Sequence, residues 1–169
     1  MDNSQSTETH QTPIVLVSSG QDRFSEKHSL GLTSIDFKVS TQDTFGNSFI
    51  IEIHVHERGG PALHLHYEQD EWFHVLKGEF VIVVGQEKFM LTAGDALLAP
   101  RKIPHTWARL GNSTGTLLIV FTPAGHMEDF FQEVSKTNAM PVQDPTLWQK
   151  YGMQLLGPPI ALDDFPDPS

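Results

Sequence analysis

The sequence predicts an all-β domain, a sandwich or barrel of short antiparallel strands, with a short helical extension at its C-terminal end. Three observations lead there. Between Glu71 and Phe121 short apolar runs follow one another at intervals punctuated by Gly78, Gly85, Gly94 and Gly111 to Gly115. Upstream, Phe49, Ile51, Ile53 and Val55 alternate with Ser48, Glu52 and His54, the period of a strand with one buried face. After Gly125 the period changes, and Met127, Phe130, Phe131 and Val134 recur at the spacing of one helical face.

Taken in order, residues 1–12 are polar and are expected to be a mobile, disordered tail. Residues 13–17 form an apolar run closed by Ser18-Ser19-Gly20, which predicts a first strand, and the charged stretch 22–29 reads as loop. Strands are expected over 30–39 and 48–55, then over 71–76, 79–84, 88–91, 95–99, 105–110 and 116–121. A helix is expected over 125–136, with Glu128 and Asp129 in the first turn where the helix dipole favours acidic groups. Asp144 followed by Pro145 predicts an N-cap and first helical residue of a second, short helix running through Tyr151. The resulting division is 1–12 tail, 13–123 barrel, 124–156 helices packed on the outside of the barrel, and 157–169 a Pro-rich acidic tail. In that tail Ile160, Leu162 and Phe165 are available to a partner subunit.

Composition narrows the function classes. The 169 residues suit one domain and show no internal repeat. The absence of cysteine excludes disulfides and thiolate chemistry. A net charge of -10 argues against nucleic acid and anionic membrane as partners, since both need clustered Lys and Arg. No apolar run approaches the roughly 18 residues that span a bilayer, and the first residues lack the basic and apolar regions of a secretory signal, so a cytoplasmic protein is expected.

The strongest functional signal lies between Gly59 and Gly111, where three histidines and a glutamate fall at spacings that suit one metal ion. His64 and His66 are two apart and face the same side of a strand. Glu71 is at odd spacing from His66, so the chain must turn within Tyr67-Glu68-Gln69-Asp70 before Glu71 rejoins that interior. His105 arrives on a separate strand. A second pair, His54 and His56, runs instead into Glu57, Arg58 and a Gly59-Gly60 turn with no spaced carboxylate and glycine behind it, and reads as the polar face of a strand.

This ordered set resembles the two motifs of the cupin superfamily. Gly59 or Gly60, His64, His66, Glu71 and Gly78 fill the first, and Gly94, Pro100 and His105 the second. Lys102 stands where a motif glycine is expected and Arg109 where an asparagine is, which bears on the turn after Pro100 and the strand leaving His105. The resemblance implies a double-stranded β-helix, or jelly-roll barrel, of the small bacterial single-domain type, with His64, His66, Glu71 and His105 as metal ligands. Three imidazoles and a carboxylate suit one divalent transition metal, Fe, Mn, Ni, Co, Cu or Zn, and leave positions open for substrate.

Strand parity places Trp107 on the face of His105, and Phe73 and Val75 on the face of Glu71, as candidate walls of a substrate pocket. Trp72, His74 and Leu76 take the opposite parity, an apolar surface that a homodimer would cover. The run DEWFHVLKGEF and the Phe-rich helix after the last strand resemble quercetin dioxygenase-like cupins. That resemblance implies a metal-dependent dioxygenase acting on a small aromatic, flavonol-like or diketone substrate, with Glu71 as both ligand and catalytic base. A non-redox isomerase or lyase and a non-catalytic binding or sensing module are the alternatives, because fold and metal site do not determine the reaction.

Overall fold

A computed structural model describes residues 13–31, 33–139 and 144–165. The expected N-terminal tail and the last four residues lie outside them. Eleven strands, β1 (His28–Leu30), β2 (Thr33–Val39), β3 (Phe49–Val55), β4 (Leu63–His66), β5 (Asp70–Lys77), β6 (Glu79–Val84), β7 (Glu87–Thr92), β8 (Ala96–Ala99), β9 (His105–Leu110), β10 (Gly115–Thr122) and β11 (Met153–Gly157), form two antiparallel sheets. One has the order β1-β2-β3-β10-β5-β8 and the other β11-β4-β9-β6-β7. Two helices, α1 (Met127–Ser135) and α2 (Pro145–Lys150), follow the barrel strands. The fold is a jelly-roll β-sandwich with a small helical extension.

Period-two alternation decides which side chains enter the core. In β3 Phe49, Ile51, Ile53 and Val55 are all buried, while the intervening Ile50, Glu52 and His54 are half-buried on the outer face. Across the sandwich Phe80, Ile82 and Trp107 point back at them. β9 is buried along its whole length because both its faces are covered. The outer face of β9 at Ala108 and Leu110, with Val81 of the neighbouring β6, is packed by Ile160, Leu162 and Phe165 of the same chain, so these three residues cover their own sheet rather than standing free for a partner.

Several local expectations are corrected. Residues 13–17 are irregular, with Ile14 100% and Leu16 90% exposed, because the run finds no strand to pair with among the described residues. The single strand expected over 30–39 is a hairpin, split at Gly31 where φ is 58°. The loop before it is ordered by the buried Asp22 carboxylate, which accepts hydrogen bonds from the amides of Phe24 (2.8 Å), Glu26 (3.2 Å) and Phe37 (2.7 Å). The stretch after Gly152, read as the end of the helical part and the start of an extended tail, pairs with β4 instead, Met153 opposite His66 and Leu155 opposite His64. An edge strand carrying two core histidines needs such a cover for its backbone groups.

Helix α2 forms as its capping signals require. The Asp144 side chain accepts from the Leu147 amide at 3.1 Å, and Pro145 occupies the first turn, where no intrahelical donor is needed. In α1 the buried Glu128 carboxylate accepts from the Ser40 hydroxyl at 2.8 Å and the Thr41 amide at 2.7 Å, tying the helix to the β2–β3 connection. Among the described residues no helix is long and apolar enough to cross a membrane.

Candidate metal centre

His64 lies directly opposite His105 in the pairing of β4 with β9, and His66 is two residues further along the same face. Beyond His66 the chain leaves its sheet, crosses the sandwich and enters β5 in the facing sheet, where Glu71 points inward. The odd spacing between His66 and Glu71 is therefore a change of sheet. Three contacts hold this crossing. The Tyr67 amide donates to the Gly152 carbonyl (3.0 Å), the Lys102 amide to the His66 carbonyl (2.7 Å), and Arg101 clamps Asp70 through its backbone amide (2.8 Å) and guanidinium (2.8 Å).

The four side chains converge, with one donor atom from each lying within 4.8 Å of all the others, and all four residues are buried. Glu71 Oε2 is 2.8 Å from His105 Nε2 and 3.1 Å from His66 Nε2. His64 Nδ1 is 2.7 Å from the Ala62 carbonyl and His105 Nδ1 is 3.0 Å from the Ile103 carbonyl. A carbonyl only accepts, so each Nδ1 carries the proton and each Nε2 is left as the donor atom for an ion. Neither ring nitrogen of His66 has a hydrogen-bond partner, although the residue is 1% exposed. A buried orphaned imidazole beside a carboxylate and two oriented imidazoles fits a metal ligand set.

Electrostatics agree. Burial, reinforced by the neighbouring His105 and His66, pushes His64 down to about 3, so it stays a neutral ligand. Burial works to raise the Glu71 carboxyl, but the hydrogen bond from His105 and the close approach of the His66 imidazole outweigh it and hold the group well below the usual carboxylate range. His105 is opposed by burial and raised by its hydrogen bond to Glu71, with a net upward shift.

His64, His66 and Glu71 form the inner end of a cavity of about 340 Å³. Trp107, expected as a wall residue, lines it. Phe73 and Val75 do not; both are fully buried in the sandwich core, where Phe73 supports the His105 ring edge-on at 6.3 Å. The main surprise is helical. Both helices were expected on the outside of the barrel, yet Met127, Phe130 and Phe131 of α1 and Trp148 of α2 line the cavity, and the Trp148 ring lies 4.9 Å from that of His64. The apolar stripe of α1 was legible; the surface it meets was not. Gln69, 4% exposed, packs closely against the turn before this helix, where a Cβ at Gly125 would meet its Nε2 at 1.9 Å.

The other histidines among the described residues stay apart. His74 stacks on Trp72 at 5.6 Å on the outer face, and His56 reaches Ser34. His54 joins Asp36 and Glu52 in a half-buried outer cluster, where the Lys38 ammonium sits 3.4 and 3.6 Å from the two carboxylates and supplies the countercharge. The two departures from the motif are accommodated locally. Lys102 adopts φ 66°, the conformation a glycine would take, and Arg109 donates to the carbonyls of Glu57, Leu110 and Gly111 at 2.9, 3.2 and 2.9 Å, ordering the turn that follows its strand.

Two facing antiparallel sheets, with three histidines from one and a glutamate from the other around a shared interior, define a jelly-roll protein with a potential metal centre. Residues 49–121 match the cupin domain family. It is 33% identical over 67 residues to an uncharacterized protein of Methanocaldococcus jannaschii, across 40% of this chain and 54% of that one. It is 36% identical over 67 residues to 3-hydroxyanthranilate 3,4-dioxygenase of Xanthomonas euvesicatoria, across 36% of this chain and 38% of that one. The matched segments thus span about half or less of these curated relatives. An RmlC-like cupin from Shewanella frigidimarina superposes with a TM-score of 0.51 at 24% identity, covering 62% of this chain and 87% of that one, a likeness of fold.

Proposed function

We propose that this chain is a metal-dependent oxidoreductase of dioxygenase type, acting on a small aromatic, flavonol-like or diketone molecule, with one divalent transition metal held by His64, His66, Glu71 and His105. The observation that carries the reading is the convergence of four donors at the closed end of an apolar cavity. A site open to a cavity on one side suits a reaction centre rather than a structural clip. The partial similarity to a 3-hydroxyanthranilate 3,4-dioxygenase supports the oxidative branch of the alternatives.

When bound, a divalent ion of this kind supplies Lewis-acid polarisation of a substrate oxygen and open coordination positions. The chain's own residues do the rest. Trp107 and the isoleucines of β3 bracket the body of the substrate, and Phe130 and Trp148 exclude water from the inner end. Glu71, ionised and central to the cluster, is the group placed to accept the proton of an acidic substrate hydroxyl or α-carbon. Elemental analysis and an oxygen electrode test this together: one metal per chain and oxygen uptake matching substrate loss are expected across a flavonol, catechol and β-diketone screen. Turnover without oxygen would replace the reading by an isomerase or lyase, and bound ligand without turnover by a binding module.

We further propose that the chain works as a homodimer through the outer face of β5 and β8. Leu76 and Leu98 are 43% and 50% exposed there, beside the half-buried Trp72. Sedimentation equilibrium returning an 18.9 kDa species at micromolar concentration excludes it.

A further inference from the structure

Resting on the function proposed above, we infer that the ligand of this cavity is a molecule with one acidic oxygen head and an otherwise uncharged, hydrogen-bond-poor body, such as an aryl or alkyl β-diketone, and not a molecule carrying a second charged group. Among the described residues that line the cavity, Glu71 is the only one with a charged side chain, and it sits with His64 and His66 at the inner end. From there outward the wall is hydrocarbon. Ile35, Ile51, Ile53 and Ile119 form one side, and Trp107 and Phe131 stand among the aromatics of the other.

Polar groups return only at the rim. Thr33 is half-exposed and Asn138 exposed, and the rim is drawn together by the Gly31 amide, which donates to the Asn138 carbonyl (3.0 Å) and side-chain oxygen (3.1 Å). The Thr33 hydroxyl donates to the Leu30 carbonyl at 3.2 Å, so that rim donor is already engaged. A ligand held by its head at the histidines therefore lays its body along a wall with no cation for a carboxylate or phosphate and few partners for further hydroxyls. Burying such a group without a partner is costly.

This separates candidates of similar size. An oxygen pair at one end of a hydrophobic molecule satisfies both regions. An amino-carboxylate ring such as 3-hydroxyanthranilate, a sugar phosphate and a dicarboxylate each place a charge against isoleucine or tryptophan. Polyhydroxylated flavonols are disfavoured on the same ground, and simple phenols and diketones favoured.

The full chain loaded with zinc, which has no redox chemistry, gives the test. Dissociation constants are measured by quenching of tryptophan fluorescence, since Trp107 and Trp148 both line the cavity. The probes are 1-phenylbutane-1,3-dione, its para-carboxylate analogue and 3-hydroxyanthranilate. The neutral diketone is expected to bind at least 30-fold more tightly than either charged probe. A smaller ratio, or no binding of the diketone, overturns the assignment. Zinc content is measured on the same samples. A protein that holds zinc but does not discriminate overturns the ligand class alone, whereas one that holds no zinc overturns the site reading and the ligand class with it.

Discussion

Gly60→Ala tests how the ligand strands are held together. A Cβ at Gly60 would lie 1.7 Å from the Trp107 carbonyl oxygen and 2.7 Å from its carbon, where real Cβ atoms do not come under 3.0 Å, so the backbones must separate by at least 3.0 − 1.7 = 1.3 Å. β9 cannot yield easily, because it is paired with β6 from Leu110 to His105. The segment before β4 must move instead. It is fastened by the Arg109 amide to the Gly59 carbonyl (2.9 Å), the Gly59 amide to the Arg109 carbonyl (3.4 Å), and the Thr106 hydroxyl to the Pro61 carbonyl (2.8 Å). Loosening three hydrogen bonds at about 1 kcal/mol each and overpacking by about 1 to 3 kcal/mol gives a loss of about 4 to 6 kcal/mol. For a chain of this size that lowers Tm by something on the order of 10 °C. Because Gly60 precedes His64 by four residues and Trp107 follows His105 by two, the displacement also spreads the donor set, and zinc affinity is expected to fall by at least tenfold in competition with a chromophoric chelator. Urea denaturation showing a loss under about 1 kcal/mol, with zinc affinity unchanged, refutes the close-approach argument.

Three further outcomes follow from the site and its supports. If Glu71 is both ligand and base, Glu71→Gln retains much of the metal while turnover falls by roughly 10² to 10⁴; equal activity per bound metal in the two proteins excludes the base role. The hydrogen bonds of the Arg101 side chain and amide lower Asp70 to about 2, against an unfolded value of about 3.9. Its contribution to stability is present above pH ~4 and lost as pH falls toward ~2, so Asp70→Asn flattens that acid limb of a stability–pH curve, and a limb identical to wild type counts against the clamp. Lys102 holds a left-handed backbone at φ 66°, and Lys102→Gly is expected to raise stability by a few tenths to about 1 kcal/mol, checked by the urea midpoint; an equal or lower midpoint shows that the turn bears no strain.

Much of this protein was legible in one dimension. Strand alternation identified the inward residues of β3 and, at Glu71, Phe73 and Val75, of β5, because a pleated strand has a fixed period of two whatever it packs against. The capping residues Asp144 and Pro145 marked α2, because capping is a contact within one turn. The grouping of His64, His66, Glu71 and His105 was also available, since two of its members share a strand face and the polar crossing after His66 leaves Glu71 few other ways to turn inward.

Tertiary structure alone decided the rest. An apolar stripe on α1 states that something will cover it, and only the packed chain shows that it faces the cavity beside the histidine cluster rather than the outer barrel wall. The same holds for Phe73 and Val75, whose parity is right and whose position along β5 puts them behind the site. Residues 13–17 and 153–157 reverse their apparent roles for one reason: a strand is stabilised by the partner across from it, and β4 offers an edge to β11 while nothing among the described residues offers one to Ile14 and Leu16. Periodicities and caps are local and can be read from neighbours in sequence, whereas edges, walls and covers depend on which distant segment arrives, and that information resides in the packing of the whole chain.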